Sequence, residues 1–262
     1  MKSTARLTTI AVLLAGTFFA SASLACTTDA WTSAEGITLA DGPTNGVSRY
    51  SGICALEVTQ TGHVVDNNPA AETTFIGRFY VFPKNLSAGT HELFVAFSVE
   101  GDTGSDVFVI TYDGTDITLD AGAVGGGSVS VAADTTHWNL IEFKWVSGGQ
   151  GSLWVNSDAL TQDADGTFAS GTGSIEQVRL GAVSGINTDK AYFDAYESHR
   201  SLPVGALLDA DANGNGSISI ADAITLFNEL NLTNQTLATG QPDCNLNGSI
   251  TIADAICLFN LL

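Results

Sequence analysis

The chain has 262 residues, of which 28 are acidic and 9 are basic, so its formal net charge is −19. A surface this acidic repels phosphate groups, and we therefore exclude nucleic acid and anionic membranes as partners. Beyond the N-terminal leader, no apolar run reaches the roughly 18 residues that a membrane-spanning helix needs, so the sequence predicts no membrane span.

Residues 1–25 have the features of a secretory signal peptide. Lys2 and Arg6 give a basic start, residues 10–20 form an apolar run, and small residues precede Cys26. This order of segments is typical of a leader that is cleaved on secretion. We expect cleavage after Ala25 and an extracellular protein. The alternative is a lipoprotein signal, in which Cys26 is acylated and holds the protein at the cell surface.

Residues 26–200 predict an all-β domain. Short runs rich in β-branched and aromatic residues alternate there with Gly, Asp and Asn turns. The clearest runs are 74–82, 92–100, 106–113, 139–146, 152–156, 175–183 and 191–198. The turns at 113–115 and 148–151 should each join two strands as a hairpin. About 175 residues suffice for an antiparallel two-sheet sandwich with a core of its own.

Two segments of this domain carry a family resemblance. Residues 137–156 give a strand, a Gly-rich turn and a strand ending in Val155-Asn156, and the last strand contains the pair Phe193-Asp194. This order resembles the LamG-like branch of the concanavalin A-like lectin and glucanase jelly rolls. The resemblance implies a jelly-roll fold and a polysaccharide or surface glycan as ligand, without naming the residues that bind it.

No catalytic residue is predicted. Glucanases of the resembled family carry the string E-x-D-x-x-E, whose alternating carboxylates face one cleft, and this chain lacks it. Asp194 and Glu197 are three residues apart on a predicted strand, so we assign them to a solvated edge. The four histidines lack metal-ligand spacing and are assigned to the surface or to turns. Trp138 and Trp145 should face opposite sides of one strand, which places at least one of them in the core.

The β pattern ends at a Pro- and Gly-containing linker, 201–207, and residues 208–262 form a second domain. It contains two twelve-residue segments, 211–222 (loop 1) and 243–254 (loop 2), which start 32 residues apart. Each follows the EF-hand pattern, which places oxygen ligands at positions 1, 3, 5, 7, 9 and 12 and glycine at position 6. The predicted ligands are Asp211, Asn213, Asn215, the Ser217 carbonyl, Ser219 and Asp222, and then Asp243, Asn245, Asn247, the Ser249 carbonyl, Thr251 and Asp254.

The loops therefore predict two bound Ca²⁺ ions. Asp instead of Glu at position 12, with Asn at positions 3 and 5, leaves two carboxylates in each loop. Fewer charges weaken calcium binding, toward the micromolar or weaker range of extracellular modules. The alternative is that both segments are polar turns that bind no metal.

An apolar-striped helix follows each loop, at 220–230 and at 252–262. The stripes are Ile220, Ala223, Ile224 and Phe227, and Ile252, Ala255, Ile256 and Phe259. Their i, i+3, i+4, i+7 spacing predicts one buried face on each helix. Because the two stripes match, we expect the helices to pack on each other in a pseudo-twofold arrangement.

The duplicated loop and helix of residues 208–262 resemble a type I dockerin. This resemblance implies a small all-α, calcium-binding module that docks onto a cohesin-type protein, in a family whose members are mostly attached to polysaccharide-degrading enzymes. Loop positions 10 and 11 help to set cohesin choice there and are often Ser/Thr pairs. Here they are Ile220-Ala221 and Ile252-Ala253, which departs from the familiar cohesin specificity.

Four cysteines, Cys26, Cys54, Cys244 and Cys257, allow three pairings. In the first repeat, the positions equivalent to Cys244 and Cys257 are occupied by Ala212 and Thr225. Both positions are therefore cysteine in the second repeat and neither is in the first. This joint change predicts a Cys244–Cys257 disulfide and leaves Cys26 to pair with Cys54. Free thiols are the alternative, which an oxidising compartment disfavours.

Three functions follow from these features. The first is a secreted, non-catalytic binding or adhesion protein, in which a lectin-like sandwich is combined with a calcium-dependent docking module. The second is a glycoside hydrolase or lyase whose site has no recognised motif. The third is a structural surface protein that assembles with its own copies when calcium binds.

Overall fold

The structure is a computed structural model that describes residues 27–40, 49–52, 54–83, 86, 89–184, 190–231 and 240–262. The predicted signal peptide, 1–25, and Cys26 lie outside the described residues. Within the described ranges, no helix is long and apolar enough to cross a bilayer.

Twelve strands and two α-helices are present in the described residues. The strands are β1 Ser33–Ala40, β2 Ala55–Asp66, β3 Thr74–Phe82, β4 His91–Phe97, β5 Asp106–Tyr112, β6 Asp116–Asp120, β7 Ser128–Ala132, β8 Asn139–Val146, β9 Gln150–Val155, β10 Gly166–Ala169, β11 Gln177–Ser184 and β12 Lys190–His199. The helices are α1 Ile220–Asn231 and α2 Ile252–Leu261. The predicted run 74–82 coincides with β3, and both predicted hairpins are present, as β5–β6 and β8–β9.

All strand pairs are antiparallel, and hydrogen bonds join the strands in the order β10-β9-β8-β3-β12-β2-β11-β4-β5-β6-β7, with β1 beside β2. The sheet folds back on itself, because its ends β7 and β10 touch: a Cβ atom at Gly166 would lie 2.2 Å from Val129 Cγ2. The predicted class, a mainly antiparallel β-sandwich followed by a small helical module, is confirmed.

Aromatic side chains from distant parts of the sheet fill the core. Phe94 of β4 lies 5.0 Å from Phe143 of β8 and 6.0 Å from Phe79 of β3, between ring centroids. Neither β8 nor β3 is a neighbour of β4 in the sheet, so these contacts cross the space between its two layers. Trp145 is fully buried in the same cluster, whereas Trp138 belongs to a second cluster that faces the C-terminal module. Both tryptophans are thus buried.

The predicted solvated edge at Asp194 is wrong. Its carboxylate accepts hydrogen bonds from the backbone N–H groups of Tyr50, Ser51 and Ala195, at 2.7, 2.9 and 2.7 Å. Alternation along β12 is broken by a register shift between Asp194 and Glu197, where Ala195 adopts a φ of 48°. The rule that residues three apart face opposite ways requires a regular strand.

The surface assignment of the histidines is also wrong for one of them. His91 opens β4 and is 0% exposed. The period-2 pattern of a strand fixes which face a residue lies on but does not show whether another part of the chain covers that face. β4 is also an interior strand, with β5 and β11 hydrogen-bonded to its two edges.

The two helices pack in the predicted pseudo-twofold manner, although through a narrower face than expected. Ala223 of α1 is buried with Leu258 of α2 in one cluster, and Leu226 with Ala255 in another. Equivalent residues of the two repeats thus exchange roles across the pair.

The prediction that the whole apolar stripe is buried is wrong. The exposed fractions are 56% for Ile220, 54% for Ile224, 56% for Ile252, 57% for Ile256 and 47% for Phe259. A pair of short helices shares a single interface, so each helix can bury only the residues that face its partner. The remaining apolar side chains of the stripe stay at the surface.

Candidate metal centre

Loop 1 is wound around its two carboxylates. Asp211, at position 1, accepts hydrogen bonds from the backbone N–H groups of Asn215 and Gly216, at 3.1 and 2.6 Å. Asp222, at position 12, accepts from the N–H groups of Asn213 and Ser219, at 3.0 and 2.8 Å. The first and last residues of the loop are thereby tied to its middle, which points their carboxylates inward.

Loop 2 repeats this network position by position. Asp243 accepts from the N–H groups of Asn247 and Gly248, at 3.1 and 2.7 Å. Asp254 accepts from those of Asn245 and Thr251, at 3.3 and 2.7 Å. The same sequence pattern has therefore produced the same backbone conformation twice.

Glycine at position 6 explains the sharp turn in each loop. Gly216 and Gly248 have φ angles of 82° and 84°, a region that only glycine adopts cheaply. Position 4 is also left-handed, and there the repeats differ: Gly214 has a φ of 70° and Leu246 one of 58°. A leucine with positive φ carries backbone strain, which the surrounding structure must hold in place.

The loop carboxylates are buried, and none of the ion pairs in the described part of the chain involves them. Asp222, Asp243 and Asp254 are 0% exposed and Asp211 is 6% exposed, and the sequence has no Lys, Arg or His after Arg200. Burial, and after it the charge of Asp254, raises the pKa of Asp243 to about 7. Uncompensated buried carboxylates call for a cation.

The donor set fits a hard divalent cation such as Ca²⁺. Each loop offers two carboxylates and completes its oxygens with Asn and Ser or Thr groups, which are ligands that calcium prefers. Because only two carboxylates belong to each loop, the described residues contain no group of three or more His, Cys, Asp or Glu side chains that could hold a metal ion without those other oxygens. Soft or nitrogen-preferring metals would find no thiolate or imidazole ligand here.

Each loop leads directly into its helix through a hydrogen-bonded cap. At the start of α2, the Ala253 N–H donates to Thr251 Oγ1 and a reciprocal capping box joins Thr251 to Asp254. At the start of α1, the Ala221 N–H donates to Ser219 Oγ. Positions 9 and 12 of each loop therefore serve the helix as well as the loop.

The structure contains a disulfide between Cys244 and Cys257, with a Cα–Cα distance of 5.9 Å. It joins the start of loop 2 to the middle of α2. Cys54 is also disulfide-bonded, and its predicted partner, Cys26, lies outside the described residues.

Gln241 connects the two loops, a role that no sequence pattern indicated. Its side-chain oxygen accepts from the Ala210 N–H at 2.9 Å, and its side-chain amide donates to the Asp243 carbonyl at 2.7 Å. Its backbone N–H donates to the Asp211 carbonyl at 2.8 Å. This side chain is 1% exposed, so its hydrogen bonds are shielded from water.

Loop 2 rests directly on the sandwich. A Cβ atom on Gly248 would lie 2.6 Å from the ring of Phe82, and the backbone N–H of Trp138 donates to the Leu246 carbonyl at 3.2 Å. Leu246 packs against the second aromatic cluster, which contains Phe82, Trp138 and Tyr50. The left-handed Leu246 is thereby held by contacts outside its own loop.

Flanking contacts attach the rest of the module. The Tyr50 hydroxyl donates to Asp209 at 2.6 Å, and Arg49 forms a 2.8 Å ion pair with Glu229 of α1. The predicted linker is also held, because Glu142 accepts from the N–H groups of Val204 and Gly205, at 2.9 and 3.2 Å. Glu142 is 0% exposed, so these hydrogen bonds are shielded from water.

Comparisons with known proteins agree with the C-terminal assignment. Residues 209–262 match the family model of the dockerin type I domain. Among curated proteins, none matches the chain.

Solved structures similar to the chain include two kinds of protein. The botulinum neurotoxin serotype D ligand binding domain, solved in complex with N-acetylneuraminic acid, is 9% identical, with a TM-score of 0.44 over 63% of this chain and 42% of that one. The cellulose induced protein Cip1 is 13% identical, with a TM-score of 0.47 over 65% of this chain and 87% of that one. The chain thus spans less than half the length of the toxin chain that it matches.

Proposed function

We propose that the protein is a secreted, calcium-binding and non-catalytic binding protein, in which a dockerin-type module docks onto a cohesin-type partner and the sandwich binds a glycan. The observation that carries the proposal is the pair of loops with one hydrogen-bond network and buried, uncompensated carboxylates. The match of residues 209–262 to the dockerin type I model supports the same conclusion.

Each loop would hold one Ca²⁺ ion. The ligands would be the side chains at positions 1, 3, 5, 9 and 12 and the carbonyl at position 7, which are Asp211, Asn213, Asn215, Ser219, Asp222 and the Ser217 carbonyl in loop 1, and Asp243, Asn245, Asn247, Thr251, Asp254 and the Ser249 carbonyl in loop 2. The ion supplies the positive charge that neutralises the buried carboxylates. Since a module of about 55 residues has a small core, this binding energy contributes to its folding.

The docking face would be the exposed apolar stripe of the two helices. Two isoleucines of each helix are more than half exposed, namely Ile220 and Ile224 of α1 and Ile252 and Ile256 of α2. The pseudo-twofold arrangement of the helices therefore presents the same pair of isoleucines twice. Monomeric soluble proteins rarely expose contiguous apolar patches of this kind without a partner. An apolar residue at loop position 10 of both repeats should select an apolar surface on the cohesin.

Calcium titration of the full chain by calorimetry tests the metal part. Wild type should bind two ions, Asp211→Ala and Asp243→Ala should each lose one, and the double variant should lose both. Asp163→Ala, at an exposed acidic residue outside both loops, is the matched control. Unchanged binding in the double variant would contradict the proposal.

Binding of recombinant cohesin modules tests the docking part. Ile224→Asp or Ile256→Asp alone should leave one copy of the face intact, whereas the double variant should lose docking in the presence of calcium. A cohesin that binds the double variant as tightly as wild type would exclude this face.

The same exposed stripe favours one second candidate, assembly of the protein with its own copies. Sedimentation velocity with and without calcium separates the two possibilities. A calcium-dependent oligomer that Ile224→Asp with Ile256→Asp abolishes would favour self-assembly over a cohesin. Release of reducing sugars from polysaccharides would instead support the glycoside hydrolase or lyase alternative.

A further inference from the structure

A cleft of about 520 Å³ lies where the sandwich meets the C-terminal module. The sandwich contributes Trp138 and Gln162 to its lining, the segment before loop 1 contributes Ala206 and Asp209, and loop 2 contributes Asn245. Small-molecule sites commonly occupy about 300–1,000 Å³ and occur preferentially at domain interfaces. Both the size and the position are thus those of a ligand site.

The floor of the cleft is held rigidly. Tyr50 and Tyr80 stack with 3.6 Å between ring centroids, and Trp138 meets Tyr50 edge-on at 5.7 Å. The backbone N–H of Trp138 donates to the Leu246 carbonyl, and the Tyr50 hydroxyl donates to Asp209. An aromatic floor held by ring packing and by these two hydrogen bonds is preorganised, which lowers the cost of binding.

The charges in the lining select against an anionic ligand. Asp134, Asp158 and Asp209 line the cleft, and no Lys or Arg is among the described residues of its lining. Of these lining residues only His137 is basic, and it is paired with Asp134 at 2.8 Å. A uronate, a sulfate ester or a sialic acid would be repelled, whereas hydroxyl groups can donate to these carboxylates.

The accessible groups suit a molecule with many hydroxyls. Gln162 and Asp209 are exposed, and Asp134 and His137 are each 42% exposed. Amide and carboxylate groups beside apolar walls, with no strong positive charge, can hydrogen-bond several hydroxyls at once. These features point to a short neutral saccharide.

We propose that this cleft is a binding site for a neutral oligosaccharide, and that loop 2 forms one of its walls. The proposal rests on the glycan-binding part of the proposed function and names its site and ligand class. Because Asn245 and Leu246 belong to loop 2, the wall depends on the conformation that the loop carboxylates and their cation maintain. Saccharide binding should therefore respond to loop 2 and not to loop 1.

The test measures binding of cellotetraose, xylotetraose, mannotetraose and laminaritetraose to the full chain in calcium, by calorimetry and by tryptophan fluorescence. Ala206→Trp places a large side chain in the cleft and should weaken binding at least about tenfold. Ala132→Trp, at an exposed position of β7, is the control and should bind as wild type does. Asp243→Asn should weaken binding and Asp211→Asn should not.

The outcomes separate this proposal from the broader one. If a neutral saccharide binds equally well to wild type and Ala206→Trp, the cleft is not the site, although the glycan-binding function stands. Binding of trigalacturonate or of glucosamine oligomers alone would overturn the neutral ligand class while leaving the sandwich a glycan-binding domain. If no glycan of any charge binds, the cleft proposal and the glycan part of the proposed function both fail, and cohesin docking is unaffected.

Discussion

Loop 1 and loop 2 are near copies in sequence and in internal hydrogen bonds, yet their surroundings differ. A Cβ atom on Gly216 would meet nothing within 4 Å, whereas one on Gly248 would lie 2.6 Å from the ring of Phe82. Loop 2 also carries the disulfide, between Cys244 and Cys257. The duplicated pattern sets the conformation of each loop, and the residues around the loop decide what else it does.

The residue at position 4 differs between the loops, and in loop 2 it forms part of the contact with the sandwich, which we call the junction. Loop 1 has Gly214 there, and loop 2 has Leu246 with the same left-handed backbone. Such a leucine costs of order 1–3 kcal/mol in backbone strain. Its side chain packs on the sandwich and its carbonyl accepts from the backbone N–H of Trp138, and these contacts offset the strain.

The largest expected difference between the repeats concerns the disulfide. Replacing both Cys244 and Cys257 by Ser opens a closure with a sequence separation of 13. In the chain-entropy model this lowers the free energy of unfolding by about 3 kcal/mol. Amide hydrogen exchange of α2 should report the loss as faster opening, whereas Thr225→Ser, at the equivalent position of the first repeat, should change α1 little. Equal exchange of α2 in wild type and variant would show that the junction with the sandwich alone holds loop 2.

The two position-6 glycines give the next largest contrast. Gly216→Ala and Gly248→Ala both place a Cβ atom on a left-handed backbone, which should cost about 1 kcal/mol in each. Only Gly248→Ala also collides with Phe82, which is 1% exposed and cannot move aside. Overpacking should add about 2 kcal/mol at that site.

Hydrogen exchange of each loop, with calcium present at equal saturation, measures this contrast. Similar destabilisation by the two substitutions would mean that loop 2 lifts away from Phe82 at little cost. The junction would then be weak, and the two repeats would be equivalent in energy as they are in sequence.

The candidate site was largely predictable because its determinants are local. Glycine at position 6 and oxygens at fixed spacing specify a loop without reference to the rest of the chain. The joint change to Cys244 and Cys257 had the same local character. The contacts of Gly248 with Phe82 and of Leu246 with Trp138 join residues more than 100 positions apart, and no spacing rule indicates them.

The fold shows the same limit. Strands rich in β-branched and aromatic residues, such as β3 and β8, were predictable, because this composition indicates a strand even where polar residues interrupt it. Short strands such as β7 and β10 lack that pattern and are fixed by pairing. The exposed isoleucines of the helices show the reverse error, since periodicity reports an apolar face but not whether another element covers it.

The smallest expected effect concerns the hydrogen bond between Tyr50 and Asp209, which attaches the segment before loop 1 to the sandwich without touching loop 2. Burial raises the pKa of Tyr50 well above its ordinary value, so its hydroxyl stays protonated and donates to Asp209, two residues before loop 1. Tyr50→Phe keeps the ring stacked on Tyr80 and removes the hydroxyl, which bonds to Asp209 and also to the Tyr80 hydroxyl. The cost should be about 1 kcal/mol, because Asp209 is exposed and water can replace the phenol.

Faster amide exchange at 207–212 should report that loss, with residues 246–250 of loop 2 unchanged. Tyr112→Phe, in the core of the sandwich, controls for the general effect of losing a phenol. If Tyr50→Phe accelerates exchange in both loops equally, then Gln241, which bonds to Ala210 and Asp243, couples them more strongly than either is coupled to the sandwich. The comparison between the repeats would then be one between two parts of a single cooperative unit.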